Sequence, residues 1–236
     1  MLSKVLKEIV VKLKKILADN KGFIVLMLGM AFVRSALADY YTVPTSSMYP
    51  TLLEGDRVIC DRLAYDIKLP FTDVILKHMA DPQRGDVVTF TSPEDGVRLI
   101  KRLVALPGDV VEMREEKLYI NGKAATYEPL RPRSDDHLTP RHEYAGRQLV
   151  YKESLGSLQH EMIVMPEREA LRSFGPVHVP EGEYLMLGDN RDNSKDSRYI
   201  GLVKRELITG QVRRLMYSLN GDQYYMPRFD RFGAKI

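Results

Sequence analysis

The chain has 236 residues, 44% of them apolar, enough for one or two domains with a sizeable core. A formal net charge of +3 is too small to point to nucleic acid, and the single cysteine, Cys60, excludes an intramolecular disulfide. Cys60 sits between charged Arg57 and Asp61, next to Val58 and Ile59, the setting of a small buried thiol rather than of a nucleophile.

In chain order, Leu2, Val5, Leu6, Ile9, Val10, Leu13, Ile16 and Leu17 recur at helical spacing, with Lys4, Lys7, Lys12, Lys14 and Lys15 mostly on the other face. This pattern predicts an amphipathic basic helix over 1–20, suited to an anionic membrane surface. An ordinary surface helix is the alternative. From Gly22 to Val33 every residue is apolar or glycine, and with Arg34 admitted the run reaches Ala38. Seventeen helical residues cover about 25 Å against a hydrocarbon core of ~30 Å. Arg34 must therefore snorkel at the far interface, and Ile16 and Leu17 must lengthen the near end. The expectation is one membrane anchor over 21–38. Lysines before the span and almost no basic residues just after it place the N-terminus in the cytoplasm and the remainder outside. A buried helix of a globular core is one rival. A cleavable leader ending at Ala36-Leu37-Ala38 is another, disfavoured by the long basic segment before it and by Arg34 within it.

Beyond Tyr40 the texture is that of short strands and turns. Strands are expected at Asp56–Cys60, Asp86–Thr91, Val97–Ala105, Val110–Met113 and Lys117–Ile120, the last leading into the hairpin signal Asn121-Gly122. The apolar but proline-broken stretch from Tyr65 to Met79 fits either core or a loop dipping into a bilayer. Residues 111–183 are richer in Pro, His and charge, the composition of an inserted accessory lobe. Strand-like alternation returns at Glu183–Leu187 and over Val203–Ser218. The fold class expected is mainly β: an antiparallel β-sheet core from 39–110 and 184–236, the lobe 111–183 inserted in it, and the amphipathic and membrane helices ahead of it.

Familiar chemistries are missing. There is no Gly-x-Ser-x-Gly elbow and no phosphate-cradling glycine loop, and His160-Glu161 lacks a second histidine at position 164, which is Val. No metal and no cofactor are expected. Between two apolar segments, however, stands a polar knot, Gly188-Asp189-Asn190-Arg191-Asp192-Asn193-Ser194-Lys195-Asp196-Ser197-Arg198. Such a knot is tolerable in a core only if its members satisfy one another. Ser47 lies between Pro44 and Pro50, which stiffen the backbone on either side of it. In Val97–Val104, alternation puts Lys101 on the face of Leu99 and Leu103 and Arg102 on the opposite face. A lysine facing an apolar layer either snorkels out or loses its proton. Lowering its pKa from ~10.4 to ~8 takes about 3 kcal/mol of differential solvation, which burial can supply. Arginine could not serve as such a base.

Four groups of residues, in order, resemble the boxes of bacterial type I signal peptidase. They are Pro44-Thr45-Ser46-Ser47-Met48 with Pro50-Thr51-Leu52, Arg84-Gly85-Asp86-Val87-Val88, Ile100-Lys101-Arg102 with Leu106-Pro107-Gly108-Asp109, and the knot itself. The resemblance implies a membrane-anchored endopeptidase of the bacterial plasma membrane, with its catalytic domain on the outer side. It would remove signal peptides from preproteins after small-x-small sites. Ser47 would be the nucleophile and Lys101 the general base; the Ser47 N–H and the Thr45 hydroxyl would form the oxyanion hole. Ser194 would hold the Lys101 amine, and Asp189, Asp196, Arg198 and Arg102 would support it. Tyr41, Val43, Pro44, Met48, Leu52, Val58, Leu99 and Ile100 would line the substrate pockets. The partners implied are preprotein signal peptides and membrane lipids. Thr45 stands where the family often has Ser, Ser46 and Ala105 where it often has Gly, and Lys195 adds a charge beside Ser194. Two rivals differ in class or breadth: a Ser/Lys protease with one exported target, and a catalytically silent, membrane-tethered module that binds signal sequences.

Overall fold

In the computed structural model, which describes residues 12, 14–72, 74–130, 148–156 and 158–236, the β-branched and aromatic runs become antiparallel strands. The predicted amphipathic helix lies mostly outside the described residues, of which 14–19 are helical. Helix α1 follows over Lys21–Ala36. The Asn20 N–H donates to the Ile16 carbonyl at 3.1 Å and the Ile24 N–H to the Asn20 carbonyl at 3.0 Å, so the helical bonding continues through Asn20. With 16 residues, α1 measures about 24 Å. Among the described residues, no helix is long and apolar enough to cross a membrane.

Strands β1 (Ala38–Thr42), β2 (Asp56–Asp61), β3 (Asp66–Lys68), β4 (Ile75–His78), β5 (Val87–Thr91) and β6 (Arg98–Ala105) come next. The middle of the chain supplies β7 (Val110–Arg114), β8 (Lys117–Ile120), β9 (Lys123–Ala124), β10 (Thr126–Leu130), β11 (Leu149–Leu155), β12 (Leu158–Val164) and β13 (Phe174–His178). It closes with β14 (Glu183–Leu187), the short helix α2 (Ser197–Ile200), β15 (Val203–Lys204), β16 (Ile208–Asn220) and β17 (Met226–Pro227). The main sheet runs β1-β2-β16-β5-β6-β14-β15, with β17 on β16. Asn121 and Gly122, both at positive φ (53° and 76°), form the tight turn between β8 and β9, as the Asn-Gly pair predicts.

Residues 111–183 form two further sheets, β13-β7-β8-β9 and β10-β11-β12. The first shares a core with the main sheet, since Val111, Met113, Leu118 and Val179 pack in one cluster with Val104, Ala105, Leu185 and Leu187. On the opposite face Phe90, Leu103, Met186 and Ile208 form a second cluster. The middle of β6 is therefore covered on both sides, and Lys101 and Arg102, one facing each way, are both buried.

The stretch from Tyr65 to Met79, ambiguous in sequence, forms the β3–β4 hairpin, whose outer residues stay exposed. Leu69, Phe71, Val74, Leu76 and Met79 face outward, and the Phe71 N–H donates to Ser35 Oγ near the end of α1.

Candidate active site

Ser47 sits in a 3₁₀ turn over Ser46–Met48, between β1 and β2. Both ends of its loop are tied down. The Val43 N–H donates to the Asp56 carbonyl at 2.9 Å, and the Leu53 N–H donates to the Asp56 carboxylate at 2.8 Å. Arg231, near the end of the chain, donates to the same carboxylate at 2.7 Å and to the Thr51 carbonyl at 3.1 Å. The buried Asp56 charge is thus paired, as a charge out of water must be.

Strand β6 brings Lys101 to this turn. Its Nζ lies 2.6 Å from Ser47 Oγ and 3.0 Å from the Ile100 carbonyl, and the residue is only 3% exposed. Burial pushes the amine's pKa down to about 8, against the opposing pull of Asp196 and Asp189. A lysine at that value carries a useful fraction of free base near neutrality and can accept a proton from the hydroxyl beside it. Thr45 Oγ1 stands 3.4 Å from Ser47 Oγ on the open side.

The polar knot is an internal network. Arg102 grips Asp189 with two bonds of 2.8 and 2.7 Å and donates to the Gly85 carbonyl at 2.9 Å; Thr51 also donates to Asp189. Arg198 grips Asp196 with two bonds of 2.8 Å, and Asp196 in turn accepts from the Gly188 N–H at 3.0 Å. Every charge in these two pairs is buried, so each is held in place by the other.

Sequence reasoning placed Asn190, Arg191 and Asn193 in the knot but gave them no role at the site, and it missed Glu153. The Asn190 backbone N–H donates to the Ser47 carbonyl at 3.2 Å, and its side chain donates to the Ser46 carbonyl at 3.2 Å. Asn193 donates to Ser46 Oγ at 2.8 Å. These two asparagines fix the backbone on which Ser47 is carried, and their place inside the knot was the signal that could have found them. Arg191, fully buried, pairs with Glu153 on β11 and so ties the β10-β11-β12 sheet to the knot. No local pattern announces a partner 38 residues away.

Ser194 lines the same cleft as Ser47 and Lys101; among the described residues its buried Oγ has no hydrogen-bond partner, and the second contact of the Lys101 amine is the Ile100 carbonyl. Of the expected pocket residues, Val43, Met48, Leu52 and Val58 are buried in a cluster with Val87, Val212 and Leu215. They form the floor beneath the cleft, Met48 from the 3₁₀ turn and Val58 from β2. Pro44 and Leu99 line the cleft itself, and Tyr41 and Ile100 are half-buried at the cluster's edge.

Gly188 marks how tightly the knot packs. A Cβ there would run into the Ser194 side chain and come within 2.5 Å of the Ser47 carbonyl oxygen. Gly188→Ala is expected to lower the unfolding free energy by about 1–3 kcal/mol in a denaturant titration, the range for overpacking.

Comparison with known proteins identifies the family. Residues 17–217 match the family model described as signal peptidase, peptidase S26. The chain is 35% identical over 227 residues to a signal peptidase I of Pseudomonas fluorescens, covering 91% of this chain and 77% of that protein. It is 34% identical to that of Pseudomonas aeruginosa, over 91% of this chain and 78% of the relative. It is 32% identical to that of Aquifex aeolicus, over 82% and 81%. The chain belongs to the signal peptidase family, peptidase S26, and is a serine endopeptidase of the kind that cleaves signal peptides.

Proposed function

We propose that Ser47 and Lys101 form the dyad that cuts the bond between a signal peptide and the exported protein behind it. The observation that carries this reading is the buried amine of Lys101, 2.6 Å from the Ser47 hydroxyl. The hydroxyl proton passes to neutral Nζ as Oγ attacks the scissile carbonyl. The tetrahedral oxygen is received by the Ser47 N–H and the Thr45 hydroxyl, aimed at charge that develops only in the transition state. Lys101, now charged in a dry site, returns the proton to the leaving amine. It then takes one from the water that releases the acyl group. Ser194 borders this path as part of the cleft wall.

The substrate is held as an added strand. Among the described residues β1 pairs with β2 alone, and residues 98–101 of β6 pair only with β5, since β14 joins β6 from Arg102 onward. Two unpaired edges near Ser47 suit an extended peptide. Beneath them, Met48, Leu52 and Val58 are fully buried and leave little depth. This supports a preference for small side chains before the cleaved bond.

The enzyme is anchored at a bacterial plasma membrane, its N-terminus cytoplasmic and its β domain outside. The α1 residues Phe23, Val25, Leu26, Leu28 and Met30 are exposed and apolar, and the helical bonding runs back to exposed Ile16 and Leu17. That extension supplies the length α1 lacks. The apolar β3–β4 hairpin, bonded to Ser35, dips into the same interface. The sheets of 111–183 serve as an accessory lobe that braces the knot through Glu153.

The test is a panel of unrelated preproteins with Ala-x-Ala-like sites. Wild type is expected to cut all of them after the second small residue, and Ser47→Ala none, while both melt at the same temperature. Cleavage of a single panel member would mean a specialist; undiminished cleavage by Ser47→Ala would remove the nucleophile.

A further inference from the structure

We propose that the groove between α1 and β1 receives the apolar helical stretch of the signal peptide, so that the anchor is also a substrate subsite; this rests on the proteolytic reading above. The groove is a shallow, open depression of about 560 Å³ lined by Val25, Leu26, Gly29, Met30, Ala38 and Tyr40, with Arg34 at its mouth. Positions 25, 26, 29 and 30 share one face of α1 by helical spacing. On that face Val25, Leu26 and Met30 are each more than half exposed, and a Cβ on Gly29 would meet nothing within 4 Å. The face is apolar and open, and no segment among the described residues covers it.

The occupant follows from what the groove leads to. β1 begins two residues after α1 ends, its outer edge is unpaired, and the chain beyond it runs directly to Ser47. A ligand leaving the groove along this edge arrives at the dyad in the extended form the cleft requires. From Val25 to Arg34 the helix rises about 14 Å, matching ~7–15 apolar helical residues, the length of a signal peptide's central stretch. The mouth is fixed where that stretch must end. Arg34 donates to Asp39 at 2.8 Å, and its guanidinium lies 4.8 Å over the Tyr40 ring. Arg and Tyr together mark the lipid–water boundary, at which an apolar helix gives way to extended polar chain. A lipid tail would fit the groove's polarity, but nothing about it would require continuity with β1.

The experiment uses the full chain in phosphatidylethanolamine–phosphatidylglycerol vesicles with two substrates: an intact preprotein, and a short peptide carrying only its cleavage site. Gly29→Leu, which sets a bulky side chain in the middle of the groove, is expected to raise KM for the preprotein about tenfold and to leave the short peptide within about twofold, tenfold being about 1.4 kcal/mol. Leu28→Phe, off the groove, is expected to change neither. Binding is read separately in the Ser47→Ala background, without turnover. Gly29→Cys should cross-link through a short bismaleimide to a cysteine in the preprotein's apolar stretch, and Leu28→Cys should not; native Cys60 is buried. Because the cross-link needs no catalysis, its outcome is independent of the dyad. Equal cross-linking from both positions, cross-links only between two enzyme chains, or a Gly29→Leu enzyme unchanged on the preprotein or equally impaired on both substrates would overturn the proposal.

Discussion

Lys101→Met is expected to lower kcat/KM for preprotein cleavage by about 10³–10⁴-fold while leaving the enzyme folded. The methionine side chain matches lysine in length and apolar character, so the packing around β6 is kept while the proton acceptor is lost. The base held by wild type is the neutral amine, and burial sets its pKa at about 8. The rate of wild type should therefore rise with pH through about 8, with roughly one tenth of the amine free at pH 7. Lys101→Arg should show no such limb, because a guanidinium keeps its proton. The sign for stability is opposite to that for activity. A lysine whose folded pKa lies below its unfolded value binds protons more readily when unfolded, so wild type gains stability as pH rises from about 8 to ~10.4. Lys101→Met should lack this gain and be the more stable protein at pH 7, by up to about 3 kcal/mol. An inactive variant that melts higher than wild type separates loss of the base from loss of the fold. A variant that melts lower, or retains substantial activity, would count against Lys101 as the base.

Lys101 was legible because alternation is a property of the strand alone. Leu99, Lys101 and Leu103 must share a face of β6 whatever lies above it, and a cation among leucines is conspicuous. The short strands were legible for the same reason, and the turn at Asn121-Gly122 because backbone sterics act within two residues. What the sequence conceals is pairing at a distance. Asn190, Asn193 and Arg231 look like ordinary polar residues until the Ser47 loop is set beside them. Alternation also says where a residue points on a strand but not on a 3₁₀ turn, so the burial of Met48 had no local signal. Ser194 is a subtler case: the resemblance brought it to the cleft, yet no local pattern shows that its side chain packs against Gly188. Composition separated 111–183 from its surroundings, while the packing joins Val111, Met113 and Leu118 to the main sheet's own cluster.

The second large effect lies behind the dyad. Asp189→Ala is expected to destabilise the protein by about 3–5 kcal/mol, because it leaves the Arg102 guanidinium buried with its main partner gone. Arg102 would keep the Gly85 carbonyl and Thr51, neither of which neutralises its charge. Asp189 is fully desolvated, which alone would raise its pKa, yet Arg102 beside it holds the carboxyl below its ordinary value. A depressed carboxyl contributes stability that is present at neutral pH and lost as pH falls through the acid range. Wild type should thus weaken steeply on acidification, and Asp189→Asn should flatten that slope while starting from a lower value. The double variant Asp189→Leu with Arg102→Met removes both charges and should be more stable than Asp189→Ala, since no buried ion is then left alone. Activity should not follow this recovery. Thr51, three residues beyond Met48, is fixed by Asp189 on one side and by Arg231 on the other. Without the first tie, the turn carrying Ser47 loses one of its braces. Denaturant titration across pH, alongside kcat/KM on one preprotein, measures both quantities. If the double variant regained full activity along with its stability, Asp189 would be a partner for Arg102 and nothing more.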